Sequence, residues 1–257
     1  KTSPGHKGQR GDRNSPTVLN AATHFVQFWD GRAADVEEQA LGPILNPVEM
    51  AMPSEDAVLK VLKSIPGYAD MFAAAFPGEG DPITYKNVGL AIGAFERGLI
   101  TPSPFDDFLK GNVTALPPDA LRGLQLFIDA GCTNCHTGPN LGGTMYQKLG
   151  SVKEYKTEDE GRFKITNNEA DKHSFKVPGL RNVTRTSPYL HDGSAATLDD
   201  VLNIMAEYQT AKGKLDDDER RYLHAFLETL NGTVDEEYVR KPELPESGPK
   251  TPAPDPS

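Results

Sequence analysis

The stretch Gly131-Cys132-Thr133-Asn134-Cys135-His136 contains both cysteines of the chain and places a histidine directly after the second one. The spacing Cys-x-x-Cys-His is the attachment signature of c-type haem. Two thioethers at this separation can anchor the two vinyl groups of one porphyrin, and the adjacent histidine can then ligate the iron. The motif therefore predicts a haem c bound covalently to Cys132 and Cys135, with His136 as an axial ligand.

Three other uses of two cysteines fit the sequence less well. A thioredoxin-like dithiol follows a strand and opens a helix, whereas a helical pattern over 118–127 leads into this motif. A zinc site needs a second pair of ligands, and the chain has no third cysteine. A disulfide across two residues is strained. Covalent haem attachment requires an exported compartment, which indicates the bacterial periplasm. Because no signal peptide is visible at Lys1, we expect a mature, cut or partial chain.

The composition limits the class of protein. The chain has 257 residues, of which 37% are hydrophobic and 25% are charged, as in ordinary soluble domains. No run approaches the roughly 20 apolar residues that a membrane helix needs. Lys and Arg number 27 against 37 Asp and Glu, so the net charge is −10. A nucleic-acid-binding protein would carry the opposite sign, and a basic soluble partner is the better expectation.

Apolar periodicity predicts a mainly α-helical fold. Helices are expected at about 33–42, 55–64, 67–75 and 84–99 and, after a proline-rich connection over 100–117, at 118–127, 198–208 and 217–230. Thr84, Thr197 and Asp216 are the predicted N-caps, and Gly131 is predicted to end the helix before the motif. A helix before Cys-x-x-Cys-His and a final amphipathic helix are together similar to a cytochrome c domain over about 104–232. No β-rich segment is expected, and the proline-rich tail predicts an extended arm or disorder.

A haem that only transfers electrons needs a sixth iron ligand, and methionine is a common one in cytochromes c. The chain has five methionines. Met71 lies in an aromatic-rich helical pattern typical of core packing, and Met145 follows a glycine turn. Met205 lies in the helix expected over 198–208, where periodicity alone allows either a core residue or a ligand.

Six segments resemble those of the bacterial di-haem cytochrome c peroxidases, in family order over about 5–230. These segments are 14–20, 27–35, 42–50, 131–136, 175–183 and 188–193. The resemblance implies two cytochrome c-like haem domains in one mainly α-helical chain. They are a peroxidatic domain over 1–103 and an electron-transfer domain over 104–232, followed by a proline-rich arm over 233–257. The first domain lacks its own Cys-x-x-Cys-His, which we expect upstream of His6, so it is incomplete as given.

The resemblance also implies the iron ligands. His136 and Met205 match the axial ligands of the high-potential haem through which electrons enter, and thioether ligation raises its potential. His6 matches the removable ligand of the first, low-potential haem iron. A histidine that must leave the iron belongs on a loop of low local stability, and Gly5 precedes it.

The resemblance also implies that three further residues take part in the peroxide chemistry. Glu49 is expected to accept a proton from one peroxide oxygen and return it to the other, because a carboxylate can do both. Gln39 is expected to orient the substrate, and Trp29 to bridge electron transfer between the haems. Apolar Val48 and Met50 beside Glu49 favour a semi-buried site.

Asn14, Thr186 and Pro188 match the calcium ligands of the family. A side-chain oxygen from Asn14 and backbone carbonyls from the other two residues would suit this hard cation. Because these ligands come from both halves of the chain, calcium is expected to set the geometry between the haems.

The resemblance implies a periplasmic peroxidase that reduces hydrogen peroxide to water. Its electrons would come from a small basic cytochrome c or a cupredoxin, and the family often forms homodimers. Two alternatives stay open. One is a mono-haem electron-transfer cytochrome, as an inactive fragment. The other is a di-haem oxidase that modifies the tryptophans of a protein partner, a class with tyrosine at the position of Met205.

Overall fold

The computed structural model describes residues 2–253 and is mainly α-helical, as expected. Within that range the α-helices are α1 (Val36–Leu45), α2 (Glu55–Lys63), α3 (Pro66–Ala75), α4 (Tyr85–Arg97), α5 (Pro104–Leu109), α6 (Pro118–Asp129), α7 (Phe163–Thr166), α8 (Leu198–Tyr208) and α9 (Asp217–Glu228). Two short strands, β1 (Tyr146–Lys148) and β2 (Ser174–Lys176), pair antiparallel. No helix of this described range is long and apolar enough to cross a membrane.

The first half of the molecule, residues 2–103, is built on the packing of α1 against α4. Gly89 permits the close approach, because a Cβ there would lie 2.7 Å from the Glu37 carbonyl oxygen. Thr84 caps α4 as predicted and accepts a hydrogen bond from the Asn87 N–H at 3.1 Å. The prediction of 33–42 for α1 was wrong by three residues, because Asp35 caps this helix through the Glu38 N–H.

The second half, residues 104–232, is built on the crossing of α6 and α9. At Gly123 a Cβ would overlap the carbonyl oxygen of Tyr222, so the two backbones touch. The predicted apolar stripe of α9 is confirmed, since all four of its members are buried in the core; they are Leu223, Phe226, Leu227 and Leu230. Thr197 and Asp216 form the expected capping boxes with Asp200 and Glu219.

The sequence patterns missed the β1–β2 pair, the helix α5 and the four-residue helix α7. The β1–β2 pair places Tyr146 opposite Lys176, and strands of three residues are too short to show alternation. The helix α5 lies inside the stretch predicted as a proline-rich connection. Pro104 is its first residue, a position that needs no backbone N–H, so this proline starts a helix rather than breaking one.

The described part of the C-terminal arm contains no helix or strand and packs back on the first half. The Tyr238 ring stacks on Phe95 with ring centroids 5.3 Å apart, and its hydroxyl donates to the Phe95 carbonyl at 2.8 Å. Further along, the Thr251 hydroxyl donates to the Ser64 carbonyl at 3.0 Å. The described part of the arm is therefore held against the first half, and residues 254–257 lie outside the described range.

A partly buried ion pair ties α5 to the loop that follows the haem motif. The Arg181 guanidinium donates to both carboxylate oxygens of Asp106, at 2.6 and 2.8 Å, and to the Pro139 carbonyl at 2.8 Å. The hydrogen bonds from Arg181 hold the pKa of Asp106 at about 2. Because this pKa lies below its ordinary value of 3.8, the pair stabilises the fold above about pH 4. That contribution is lost as the pH falls toward 2.

We expect Asp106→Asn to lower the unfolding free energy near pH 6 by about 1–2 kcal/mol. In the same variant the unfolding free energy should decrease less between pH 4 and pH 2 than in the wild type, because the titrating group has been removed. Denaturant unfolding at several pH values measures both effects. Asp107→Asn is the control, since Asp107 pairs only with exposed Lys110 at 3.6 Å. An equal loss of stability in both variants would contradict the assignment.

Candidate functional site

The haem motif lies directly after the end of α6. Gly131 has a left-handed backbone with φ of 80°, as expected of a residue that ends a helix. This turn redirects the chain into a short 3₁₀ turn over Cys132–Asn134. The His136 N–H donates to the Cys132 carbonyl at 2.9 Å, which folds the motif back on itself. Both thiols and the imidazole are thereby held on one compact turn.

The His136 side chain is held in the tautomer that a metal ligand needs. Its Nδ1 lies 2.9 Å from the Leu141 carbonyl oxygen, which can only accept, so Nδ1 carries the proton. Nε2 is then the nitrogen with a lone pair for iron. Burial lowers the pKa of His136 and keeps its ring neutral. The ring also lies 6.2 Å from Phe127, between centroids, and so rests on the α6–α9 core.

The two cysteine thiols do not have the properties of a redox-active dithiol. Burial raises the pKa of Cys132 to about 11 and raises that of Cys135 as well. A dithiol oxidoreductase requires a lowered thiol pKa, because the thiolate is the nucleophile. Within residues 2–253 no group of three metal-ligating side chains of the His, Cys, Asp or Glu type is present either. The surroundings therefore suit thioether attachment better than disulfide exchange or zinc.

Met205 lies on α8 and packs, partly buried, against the same core cluster as Cys132. The cluster is apolar and includes Phe127, Leu190 and Phe226. An apolar environment with one imidazole and one thioether suits a haem iron of raised potential. The residues present thus fit the haem that the motif predicts.

Trp29, Gln39 and Glu49 line one cavity of about 510 Å³. The tertiary structure therefore brings the three residues predicted for peroxide chemistry to one place. Trp29 precedes α1, Gln39 lies on it, and Glu49 follows it. The cavity also receives side chains from the second half, among them Lys176 of β2.

The loop that carries His6 lies against the segment that carries Glu49. The His6 N–H donates to the Glu49 carbonyl at 2.7 Å. At Gly5 a Cβ would overlap the Val48 carbonyl oxygen, so only glycine permits this approach. A 3₁₀ turn over His6–Gly8 follows, with Lys7 at φ of 55°. A movement of this loop would therefore act directly on the backbone of Glu49.

The Glu49 carboxylate is partly buried and is oriented by Asn46, whose side-chain amide donates to its Oε2 at 2.7 Å. Sequence reasoning missed Asn46, although an Asn-Pro pair at the end of a predicted helix could have indicated it.

A second carboxylate in this cavity, Glu96 of α4, was also missed. It is only 7% exposed, and its Oε2 has no hydrogen-bond partner among the described residues. Burial and the nearby Glu37 charge raise the pKa of Glu96.

Trp29 connects the cavity to the second half of the molecule. Its indole N–H donates to the Asn14 carbonyl at 2.8 Å, and its ring meets His191 edge-on with centroids 6.5 Å apart. The preceding Phe28 has a positive φ of 65°, a strained conformation for a bulky residue. The Arg32 guanidinium lies 3.5 Å above the Phe28 ring and holds it there.

Asn14, Thr186 and Pro188 line another cavity of about 340 Å³. The Asn14 side-chain amide donates to the Pro188 carbonyl at 3.1 Å, and its backbone N–H donates to the His191 carbonyl at 2.7 Å. The lining residues offer hydroxyl and carbonyl oxygens and no carboxylate. This neutral oxygen set fits a hard cation that keeps part of its water shell. Through the Asn14 carbonyl this cavity is coupled to Trp29.

The sequence and the fold are similar to those of known proteins. The family model for di-haem cytochrome c peroxidase matches residues 1–114. The chain is 46% identical over 254 residues to cytochrome c551 peroxidase of Nitrosomonas europaea, covering 98% of this chain and 74% of the relative. It is 45% identical over 259 residues to the protein of the same name from Pseudomonas aeruginosa, with the same coverage of 98% and 74%. Among solved structures, a MauG-like protein associated with microbial copper homeostasis matches with a TM-score of 0.80 and 27% identity, covering 98% of this chain and 81% of that one.

Proposed function

The chain belongs to the di-haem cytochrome c peroxidase family, and we propose that it reduces hydrogen peroxide to water with electrons from a soluble donor protein. The observation that supports this most directly is the shared cavity of Trp29, Gln39 and Glu49. The overall reaction takes one H2O2, two electrons and two protons to two waters. We divide the chain as predicted, into a peroxidatic part over 1–103, an electron-transfer part over 104–232 and the arm over 233–257.

Cys132 and Cys135 would hold haem c through thioethers, and His136 and Met205 would ligate its iron. When bound, haem iron supplies one-electron redox chemistry that no side chain offers. The chain holds the imidazole by the bond to Leu141 and packs the thioether against the apolar core. The thioether and its apolar surroundings favour the reduced iron, as the site of electron entry requires, and the bond to Leu141 fixes the orientation of the imidazole.

Glu49 would act as the proton carrier of the reaction. Its carboxylate would accept the proton of one peroxide oxygen and deliver it to the other, so that the leaving oxygen departs as water. The Asn46 amide holds Oε2 in place and leaves Oε1 for the substrate. Gln39 would orient the peroxide with its side-chain amide, from the neighbouring helix α1.

We expect Glu49→Gln to lower peroxide turnover by about 10²–10⁴-fold, because the amide cannot carry a proton. The haem absorption spectra and the unfolding midpoint should stay close to wild type, since Gln retains the size of Glu and its bond to Asn46. Steady-state peroxide reduction by the holoprotein measures the effect. Glu236→Gln, a change on the exposed arm, is the control. Wild-type turnover in Glu49→Gln would exclude Glu49 as the proton carrier.

His6 would be the removable ligand of the first haem iron. Its bond to the Glu49 backbone and the close approach of Gly5 would couple ligand release to the catalytic carboxylate. Calcium would bind Asn14, Thr186 and Pro188, where its charge would stiffen the contact between the Asn14 carbonyl and Trp29.

The Met205 assignment predicts a change in reduction potential. We expect Met205→His to lower the potential of the haem held by His136, because imidazole favours ferric iron more than a thioether does. A spectroelectrochemical titration of the holoprotein measures the shift. Met71 is 55% exposed on α3 rather than packed in the core as its sequence pattern indicated, so Met71→His should leave the potential unchanged. An unshifted potential in Met205→His would rule out Met205 as the ligand.

The donor would be a small basic cytochrome c or a cupredoxin in the periplasm. The net charge of −10 would attract a basic donor over the distance of a Debye length.

We expect the rate of reduction by a basic cytochrome c to fall as the ionic strength rises from about 10 to 150 mM. An uncharged small-molecule reductant is the control and should show little salt dependence. A rate with the basic cytochrome that does not respond to salt would refute electrostatic docking.

A di-haem oxidase that modifies a protein partner is the second candidate, because a MauG-like protein is among the similar structures. Met205 argues against this candidate, because di-haem oxidases of that class have tyrosine at the corresponding position. A mono-haem electron carrier would show one haem per chain and no peroxide turnover. The haem-to-protein ratio from whole-protein mass, together with the turnover assay, separates these alternatives.

A further inference from the structure

Lys176 is a buried lysine whose function the peroxide chemistry does not explain. It lies at the end of β2, its residue is only 4% exposed, and it lines the cavity that holds Glu49. Its backbone N–H donates to the Trp29 carbonyl at 2.7 Å. The lysine therefore lies where the second half of the molecule meets the predicted electron bridge.

The hydrogen bonds of the Lys176 ammonium go to neutral acceptors. Its Nζ lies 3.3 Å from His24 Nδ1 and 3.2 Å from the Val26 carbonyl oxygen. Burial and the lysine charge lower the pKa of His24 to about 4, so its ring is neutral and Nδ1 can accept. These two bonds use two of the three N–H groups of an ammonium.

Two other basic side chains that line this cavity, Arg13 and Lys164, form ion pairs with carboxylates. Arg13 bonds to Asp30 and Asp159 at 2.6 Å each, and Lys164 lies 3.4 Å from Asp159. Lys176 has no ion pair within 4.0 Å among residues 2–253. A buried cation without an anion is costly, and burial lowers the pKa of Lys176 to about 8. The Asp30 carboxylate opposes this shift from a distance, but it is already paired with Arg13 and Arg32, so among the described residues no carboxylate lies in direct contact with the Lys176 ammonium.

His24 is fixed tightly behind the lysine by two glycines of the second half. At Gly143 a Cβ would overlap the His24 ring, and at Gly179 a Cβ would lie 2.9 Å from its Nε2. Gly143 belongs to the loop that follows the haem motif, so the His24–Lys176 pair is built into the surroundings of that motif. A cation held so rigidly is suited to bind one particular anion in one position.

We propose that the Lys176 ammonium, backed by His24, is a binding site for a carboxylate and that this carboxylate is a propionate of haem. The inference rests on the proposed function, because it requires haem at this junction. The ammonium would donate its remaining N–H to the propionate and neutralise its charge. Neutralisation of a negative group near the iron disfavours the ferric state and so raises the reduction potential.

The test uses the holoprotein with Lys176→Met, which keeps the length of the chain and removes the charge. Resonance Raman spectra report hydrogen bonding of the propionates through their bending modes, and spectroelectrochemical titration reports the potential of each haem. We expect Lys176→Met to lower the frequency of one propionate bending mode and to lower the potential of the same haem. Lys176→Arg should retain most of both values, because the charge and the donors remain.

Lys164→Met is the matched control, since Lys164 lines the same cavity but already pairs with Asp159. Wild-type Raman and redox values in Lys176→Met, or an equal shift in Lys164→Met, would overturn the proposal. If Lys176→Met does not fold, Lys176→Gln tests the same point, because its amide can still donate to the Val26 oxygen. Neither readout involves peroxide. A wild-type protein that lacks turnover would therefore refute the proposed function, whereas unchanged spectra in the variants would refute only the propionate site.

Discussion

The crossing of α6 and α9 is the contact on which the haem motif depends. At Gly123 the two backbones touch, because no Cβ fits against the Tyr222 carbonyl oxygen. This crossing fixes the axis of α6, and α6 ends one turn before Cys132, at the left-handed Gly131. The motif therefore emerges at the edge of the same apolar core against which Met205 packs. A side chain at position 123 would separate the helices and move the thiols and the imidazole away from the thioether.

Polar contacts join the two halves where the electron path is proposed to run. The Trp29 indole bonds to Asn14, the Asn14 amide bonds to Pro188, and the Lys176 backbone bonds to Trp29. Hydrogen bonds between partly buried groups define one geometry more strictly than apolar packing does, because an unpaired polar group is costly. The proposed calcium ligands, the electron bridge and the proposed propionate site therefore share one small set of residues. A change in any one of them is expected to reach the others.

The helices were predictable because their signals are local. Thr84, Thr197 and Asp216 each lie next to the backbone N–H groups that they cap, and the α9 stripe repeats within one helix. The start of α1 was predicted three residues too early, because the apolar residues before Asp35 extend the helical pattern although Asp35 is the N-cap. The strands β1 and β2 escaped prediction because each needs the other, 28 residues away in the paired Gln147 and Phe175. Asn46 and Glu96 were missed for a similar reason, because the cavity that they line forms only when distant parts of the chain pack together.

By itself the sequence predicted that haem is attached at Cys132 and Cys135 with His136 beside the iron, because this chemistry depends on spacing along a few consecutive residues. Its resemblance to a known family also indicated which distant residues would act together. Only the tertiary structure decided that Trp29, Gln39 and Glu49 share a cavity and that Lys176 meets His24. The physical reason is distance along the chain: Lys176 and His24 are 152 positions apart, and Asn14 and Pro188 are 174 apart. No local pattern records such contacts, because they form only when the packing of the helices has brought the two halves together.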